Sequence, residues 1–107
     1  MPALTRDEES RLVEESKANP AAFSDLYEYY LPKIYRFVFY RIGSKHEAED
    51  LVAQTFLQAI ESLPRYEERG FSLGCWLYKI ASNLIRTRQR SRSREASCFE
   101  DVSEANW

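Results

Sequence analysis

Residues that build disulfides, metal sites and nucleotide-binding loops are scarce in this sequence. Its 107 residues include two cysteines, one histidine and three glycines. Cys75, Cys98 and His46 are too few and too isolated for a disulfide framework or a metal-ligand set, and no glycine-rich phosphate loop is present. The sequence therefore predicts no metal and no other cofactor, and we interpret Cys75 as a small packing residue.

Long apolar runs are also absent. No segment approaches the roughly 18 consecutive apolar residues of a membrane span, and the N-terminus has no apolar signal core. The carboxylates are spread over faces that we expect to be exposed, so acid, base and nucleophile do not converge and no enzyme is predicted. These absences favour a small cytoplasmic domain with a single core and no contact with a membrane.

The charge is unevenly distributed along the chain, although the net charge is only −2. Residues 79–94 contain six basic and no acidic side chains, whereas residues 95–107 contain four acidic and no basic ones. We expect the first segment to form a basic surface. The second has no long apolar period, so we interpret residues 95–107 as an acidic tail or the start of an interdomain linker, and residues 1–94 as the helical domain.

Capping signals and apolar residues at helical spacing predict an all-α domain. We expect a compact bundle of three main helices and a short N-terminal helix. The signals that separate these helices are the capping box of Thr5 and Glu8, the Asn19-Pro20 break, Gly43 followed by the capping box of Ser44 and Glu47, and Pro64. Ser72 is the expected N-cap of the last helix.

The third predicted helix, from Lys45 to Leu63, has two different faces. The residues that follow the apolar period, and are expected to face the core, are Ala48, Leu51, Val52, Thr55, Phe56, Ala59, Ile60 and Leu63. The opposite strip consists of Asp50, Ala53, Gln54, Leu57 and Glu61. From the pattern alone this strip is either a solvated face or a surface for a partner helix, and the apolar Leu57 is its unusual member.

The last predicted helix combines an apolar stripe with a basic face. The stripe, in which Trp76 is interpreted as a core residue, consists of Leu73, Trp76, Leu77, Ile80, Ala81, Leu84 and Ile85. The opposite face carries, in one line, Lys79, Asn83, Arg86 and Arg90. Such a line either binds phosphates, with Asn83 contacting a base edge, or is simply solvated. Tyr66 and Phe71 in the preceding loop favour nucleic acid, because aromatic rings stack on unpaired bases.

Three segments of the chain, in this order, resemble region 2 of the extracytoplasmic-function (ECF) sigma factors, the promoter-recognition subunits of bacterial RNA polymerase. They are FSDLYEYYLPKIYRFVFYRIG (Phe23–Gly43), AEDLVAQTFLQAI (Ala48–Ile60) and WLYKIASNLIRTRQR (Trp76–Arg90). Ala53 and Gln54 stand where the family often has Gln and Glu, and Thr87 stands where it often has Asp. The family's second domain, which reads the −35 element, is absent, so we expect a piece of a longer protein.

The resemblance implies two interfaces. The helix around Asp50 would dock on the clamp helices of the polymerase β′ subunit, through Asp50, Ala53, Gln54 and Leu57. The loop and the basic helix would recognise and help to melt the −10 promoter element, with one base of the non-template strand flipped into a protein pocket. The residues implied in DNA binding are Arg65, Tyr66, Phe71, Lys79, Asn83, Arg86 and Arg90. An anti-sigma factor would be a further partner.

An interpretation from another class is a helical protein-interaction module, in which the basic helix binds an acidic partner protein and does not contact DNA. The two interpretations differ in a simple measurement. A sigma factor domain prefers single-stranded promoter sequences, whereas a basic interaction helix binds nucleic acid at most unspecifically and loses that binding in salt.

Overall fold

The computed structural model describes the backbone of residues 4–67 and 70–105 and the side chains of these residues up to residue 92. Within them the chain forms four α-helices and no strand: α1 (Arg6–Ala18), α2 (Ser24–Ile42), α3 (Lys45–Ser62) and α4 (Leu73–Ala105). Short 3-10 turns at Pro20–Phe23 and Leu63–Arg65 follow α1 and α3. The prediction of an all-α bundle with three main helices and a short first one is confirmed.

Local capping chemistry begins and ends the helices at most of the predicted places. The Thr5 hydroxyl accepts a hydrogen bond from the Glu8 backbone N–H at 3.2 Å, and the Ser44 hydroxyl accepts one from the Glu47 N–H at 3.5 Å. Gly43 ends α2 with φ of 76°, a left-handed conformation that glycine adopts without steric cost. These three signals act within a few residues of chain, which is why the sequence reveals them.

The sequence signal Asn19-Pro20, with Asn19 as N-cap and Pro20 as first helical residue, predicts a second helix that begins at Pro20, and this start is wrong in detail. The Asn19 side chain accepts a hydrogen bond from the Ala21 N–H at 3.2 Å, but it caps the 3-10 turn rather than α2. The α-helix itself begins at Ser24 and continues through Pro32 to Ile42. The turn places Phe23, which is buried, at the junction of α1 and α2.

The core lies where α2, α3 and α4 pack against one another in pairs, with α1 against α2 and the two turns. Its largest fully buried aliphatic side chains are Leu26, Ile34 and Val38 from α2, Leu51 from α3, Leu63 from the second turn, and Leu73 and Leu77 from α4. The predicted inward face of α3 is correct except at Ile60, which is 38% exposed. Because each residue turns a helix by about 100°, Ile60 lies between the buried row that holds Ala59 and the exposed row that holds Leu57.

Helix α4 continues well past the predicted end of the domain at residue 94. It runs for 33 residues to Ala105, so most of the segment interpreted as an acidic tail or linker is helical; Asn106 and Trp107 lie outside the described residues. The sequence contains neither glycine nor proline after Gly74, and nothing in it therefore terminates the helix. In the part of the chain that the structure describes, no helix is long and apolar enough to cross a membrane.

Candidate functional site

The loop after α3 and the first turns of α4 enclose an open cleft of about 450 Å³. Four residues predicted to bind DNA line it together, namely Arg65, Tyr66, Phe71 and Lys79. The remaining lining residues are Glu67, Ser72, Cys75 and Trp76. Phe71 is 69% exposed, although it is a large apolar ring. The structure thus brings the predicted aromatic and basic residues of the loop to one concave surface.

The interpretation of two cleft residues from the sequence needs correction, in part for Trp76 and fully for Cys75. Trp76 is only half-buried, and its ring centroid lies 4.7 Å from that of Tyr66, so it forms a wall of the cleft as well as packing against the core. Cys75 is exposed in the cleft and is not a packing residue. Both differences follow from helix geometry, because Trp76 lies at the edge of the apolar stripe and Cys75 lies on the side opposite to it.

The predicted basic row is present on the exposed face of α4. Lys79, Asn83, Arg86 and Arg90 are all exposed, and Lys79 joins the row to the cleft because it lines that cleft as well. The Arg86 guanidinium donates a hydrogen bond of 2.6 Å to the Asn83 side-chain oxygen, which orients the Asn83 amide. The basic row therefore has the aromatic cleft at one end.

The strip predicted on the third helix is exposed on one face of α3. Asp50, Ala53, Gln54 and Leu57 are all exposed, and Leu57 is exposed by 60%. Ile60, which sequence reasoning placed in the core, lies beside Leu57 and Ala53 and adds a second apolar side chain to this face. This face of α3 therefore carries an exposed apolar pair, Leu57 and Ile60, close to the exposed Asp50 carboxylate.

Two ion pairs join α3 to the basic half of α4. The Arg88 guanidinium donates a 2.7 Å hydrogen bond to the Asp50 carboxylate, which also accepts one from the Gln54 amide at 3.2 Å. One turn further along α4, Arg92 pairs with Glu47. Sequence reasoning missed these pairs, since the partners Asp50 and Arg88 are 38 residues apart. Among the side chains that the structure describes, the arginines of α4 therefore divide into Arg88 and Arg92, which contact α3, and Arg86 and Arg90, which face solvent.

A second surface feature missed from the sequence is an apolar groove between α2 and α3. Its volume is about 540 Å³, and it is lined by Tyr27, Leu31, Pro32, Tyr35, Lys45, Glu49, Val52 and Ala53. Ala53 lies at the border between this groove and the exposed face of α3. Among the described residues, no group of His, Cys, Asp and Glu side chains is arranged to hold a metal ion.

The family of the chain follows from its sequence relatives. Residues 26–95 match the sequence model of sigma-70 region 2. The match covers α2 from its third residue, all of α3 and about the first two thirds of α4. The chain therefore belongs to the sigma-70 family as a region 2 domain. More particularly, it is of the ECF type, because its relatives are ECF sigma factors. The resemblance seen in the sequence is confirmed, as is the prediction that the domain is not an enzyme.

Two of these relatives show how much of a whole factor is present. BldN of Streptomyces coelicolor is 43% identical over 75 residues, which are 69% of this chain and 28% of that protein. SigW of Bacillus subtilis is 33% identical over 96 residues, which are 89% of this chain and 49% of that protein. The chain thus spans half or less of the length of either relative.

A solved structure supports the same assignment for the fold. The 1.8 Å structure of an RsbN-BldN complex superposes with a TM-score of 0.67 at 36% sequence identity, over 74% of this chain and 58% of the matched chain. The helices described above therefore have the arrangement of an ECF region 2 domain.

Proposed function

We propose that this domain serves in transcription initiation in the cytoplasm, by docking on the core RNA polymerase and recognising and helping to melt the −10 promoter element. The observation that carries the proposal is the cleft of Tyr66, Phe71 and Trp76, which continues into the basic row of α4 through Lys79. A row of basic residues alone is often solvated, but a row that ends in exposed aromatic rings has the composition of a single-strand site.

In this proposal the cleft accepts one unpaired base and the row holds the adjoining phosphates. The volume of about 450 Å³ lies within the range of small-ligand pockets, and its aromatic lining can stack on a base. The Lys79, Arg86 and Arg90 side chains are exposed at regular helical spacing and would contact successive phosphates without reading sequence. Asn83, oriented by Arg86, is the residue of the row that can read a base edge.

The polymerase contact is proposed for the exposed face of α3. Asp50, Ala53, Gln54 and Leu57 would meet the clamp helices of the β′ subunit, with Leu57 at the apolar centre and Asp50 as the charged contact. Since BldN is found in a complex with RsbN, we also propose that a regulatory protein of the anti-sigma class binds this domain.

Fluorescence anisotropy of the 107-residue chain with single-stranded oligonucleotides tests the proposal. We expect tighter binding to a non-template −10 strand, selected with the full-length factor and core polymerase, than to scrambled strands of the same composition. Equal affinity for all strands, lost on addition of salt, would instead support the rival protein-interaction module, whose basic helix binds an acidic partner.

Substitutions in the basic row test base reading and phosphate binding. Asn83→Ala is expected to lose about 1–3 kcal/mol of discrimination between the −10 strand and scrambled strands. Arg86→Ala is expected to weaken binding to every strand and to lower the slope of log K against log salt by about 1, and it should also lower discrimination in part, because it removes the hydrogen bond that orients the Asn83 amide. Salt titrations of both variants by anisotropy measure the two effects.

Arg90→Ala is the matched control for this pair, because Arg90 lies in the same row and is exposed like Arg86. It should lower the salt slope as Arg86→Ala does and leave discrimination unchanged. An Asn83→Ala variant that discriminates as well as the parent would show that the amide reads no base.

A further inference from the structure

Glu9 differs from the other acidic residues of the first turn of α1. Asp7 and Glu8 are exposed, whereas Glu9 is only 9% exposed. A buried carboxyl group is costly unless hydrogen bonds replace its contacts with water. Glu9 has such bonds to two other helices, because one of its oxygens accepts from the Tyr30 hydroxyl of α2 at 3.0 Å and from the backbone N–H of Leu73.

The second of these bonds satisfies the N-terminus of α4. Leu73 is the first residue of that helix, and its N–H is one of the four that have no partner inside a helix. The predicted N-cap, Ser72, does not cap the helix with its side chain, since its hydroxyl lies 3.7 Å from the Cys75 sulfur instead. A carboxylate from α1, 64 residues away in sequence, takes that place and also complements the helix dipole.

A second contact from α1 reaches the loop that precedes α4. The Arg6 guanidinium donates a hydrogen bond to the carbonyl of Gly70, which has φ of 81° and directly precedes Phe71. The remaining space between α1 and the loop is about 10 Å³, roughly the room for one water molecule. Tyr66 and Phe71 line this narrow space on one side and the open cleft on the other. The back of the cleft therefore rests on α1.

Tyr30 of α2 makes a third contact at the start of α4. Burial, and secondly the neighbouring Glu9 carboxylate, raises the pKa of the Tyr30 hydroxyl, which donates its proton to that carboxylate in a hydrogen bond. Its ring packs on Gly74, where an added Cβ would lie 2.9 Å from a ring carbon. The start of α4 is thus held by a side chain from α1 and a ring from α2.

We infer that Glu9 is a positioning residue for the single-strand site: by capping α4 from α1, it fixes the loop and helix end that form the aromatic cleft. The match to region 2 begins at residue 26 and does not include α1. The inference rests on the proposed function, since it assigns to α1 the task of preorganising the surface that binds the unpaired base. Preorganisation strengthens binding because the loop need not be ordered when the strand arrives.

Variants of Glu9 test the inference in the 107-residue chain. Glu9→Ala removes both hydrogen bonds, and we expect roughly tenfold weaker binding to the −10 strand, together with faster hydrogen exchange of the Leu73 amide. Glu9→Gln should lie between this variant and the parent, because the amide oxygen can still accept from Leu73. Glu8→Ala, the exposed neighbour in the same turn, should change neither measurement.

A second variant distinguishes the positioning role of Glu9 from a general contribution to stability. It should destabilise the packing of α1 and leave the hydrogen bond between Glu9 and Leu73 intact. Leu12 is buried on the same helix and lines neither the cleft nor the narrow space behind it, so Leu12→Ala should lower the melting temperature while affinity, measured where each variant is fully folded, stays at the parent value. Equal losses of affinity in Leu12→Ala and Glu9→Ala would overturn the inference, and so would a Leu73 amide that exchanges in Glu9→Ala as slowly as in the parent. If the parent domain itself prefers no strand, the proposed function fails, and the exchange measurement still decides whether Glu9 holds the loop.

Discussion

Replacing Asp50 by arginine is expected to abolish binding of the domain to the β′ clamp helices, with an affinity loss of roughly 100-fold or more. Asp50 is exposed on the face of α3 that we propose as the docking surface, and its carboxylate is charge-paired with Arg88. Charge reversal places a like charge against any basic partner group, and like charges across an interface cost several kcal/mol. Titration of the domain into isolated clamp helices, followed by calorimetry, measures the effect.

Two further variants locate the cause of that loss. Glu15→Arg makes the same change of charge on α1, where the carboxylate also lies near an arginine, Arg11, at 3.9 Å; it should bind like the parent. Arg88→Ala breaks the ion pair to α4 but leaves Asp50 in place, and it should retain binding. If Arg88→Ala loses affinity as Asp50→Arg does, the α3–α4 connection and not the docking face is what the polymerase requires.

The elements that were predictable from the sequence are those whose causes lie within a few residues of chain. Thr5, Ser44 and Gly43 cap or end their helices through hydrogen bonds and a backbone conformation that involve their immediate neighbours. The basic row of α4 was equally predictable, because the helix period alone puts Lys79, Asn83, Arg86 and Arg90 on one face. The rows that form the proposed interfaces are therefore visible before any tertiary structure is known.

The positions at the edges of helix faces were not predictable with the same certainty. A step of about 100° per residue separates buried and exposed rows by a single position, so packing of the neighbouring helix decides the environment of Ile60 and Trp76. Cys75 was misinterpreted for a different reason: its residue type suggested burial, while its position, two residues before Leu77, put it on the exposed face. For this small helix bundle the period was a better guide than the residue type.

The tertiary contacts of charged residues could not be predicted from the sequence. Glu9 and Asp50 look like other acidic residues of exposed helical faces, and nothing local distinguishes Glu9 from Glu8. Only the fold brings Glu9 to the N-terminus of α4, 64 residues away, and Asp50 to Arg88. The same limitation applies to the basic half of α4, which Arg88 and Arg92 hold against α3.

Removal of the Phe71 ring should cause the largest loss on the DNA side. Phe71→Ala is expected to weaken binding to the −10 single strand by about 1–3 kcal/mol, the usual contribution of one stacked base. Because the ring is 69% exposed, its loss should change the melting temperature little, so the effect is on binding and not on folding. Anisotropy with the −10 strand and thermal unfolding followed by circular dichroism measure the two quantities separately.

Tyr40→Ala provides the matched control for Phe71→Ala. Tyr40 is an aromatic side chain of α2 that is 78% exposed, and it does not line the cleft. Its removal should leave single-strand affinity and sequence preference at the parent values. If Phe71→Ala binds the −10 strand no more weakly than Tyr40→Ala does, then the exposed ring does not stack on a base, and the aromatic cleft loses its proposed role in holding the unpaired nucleotide.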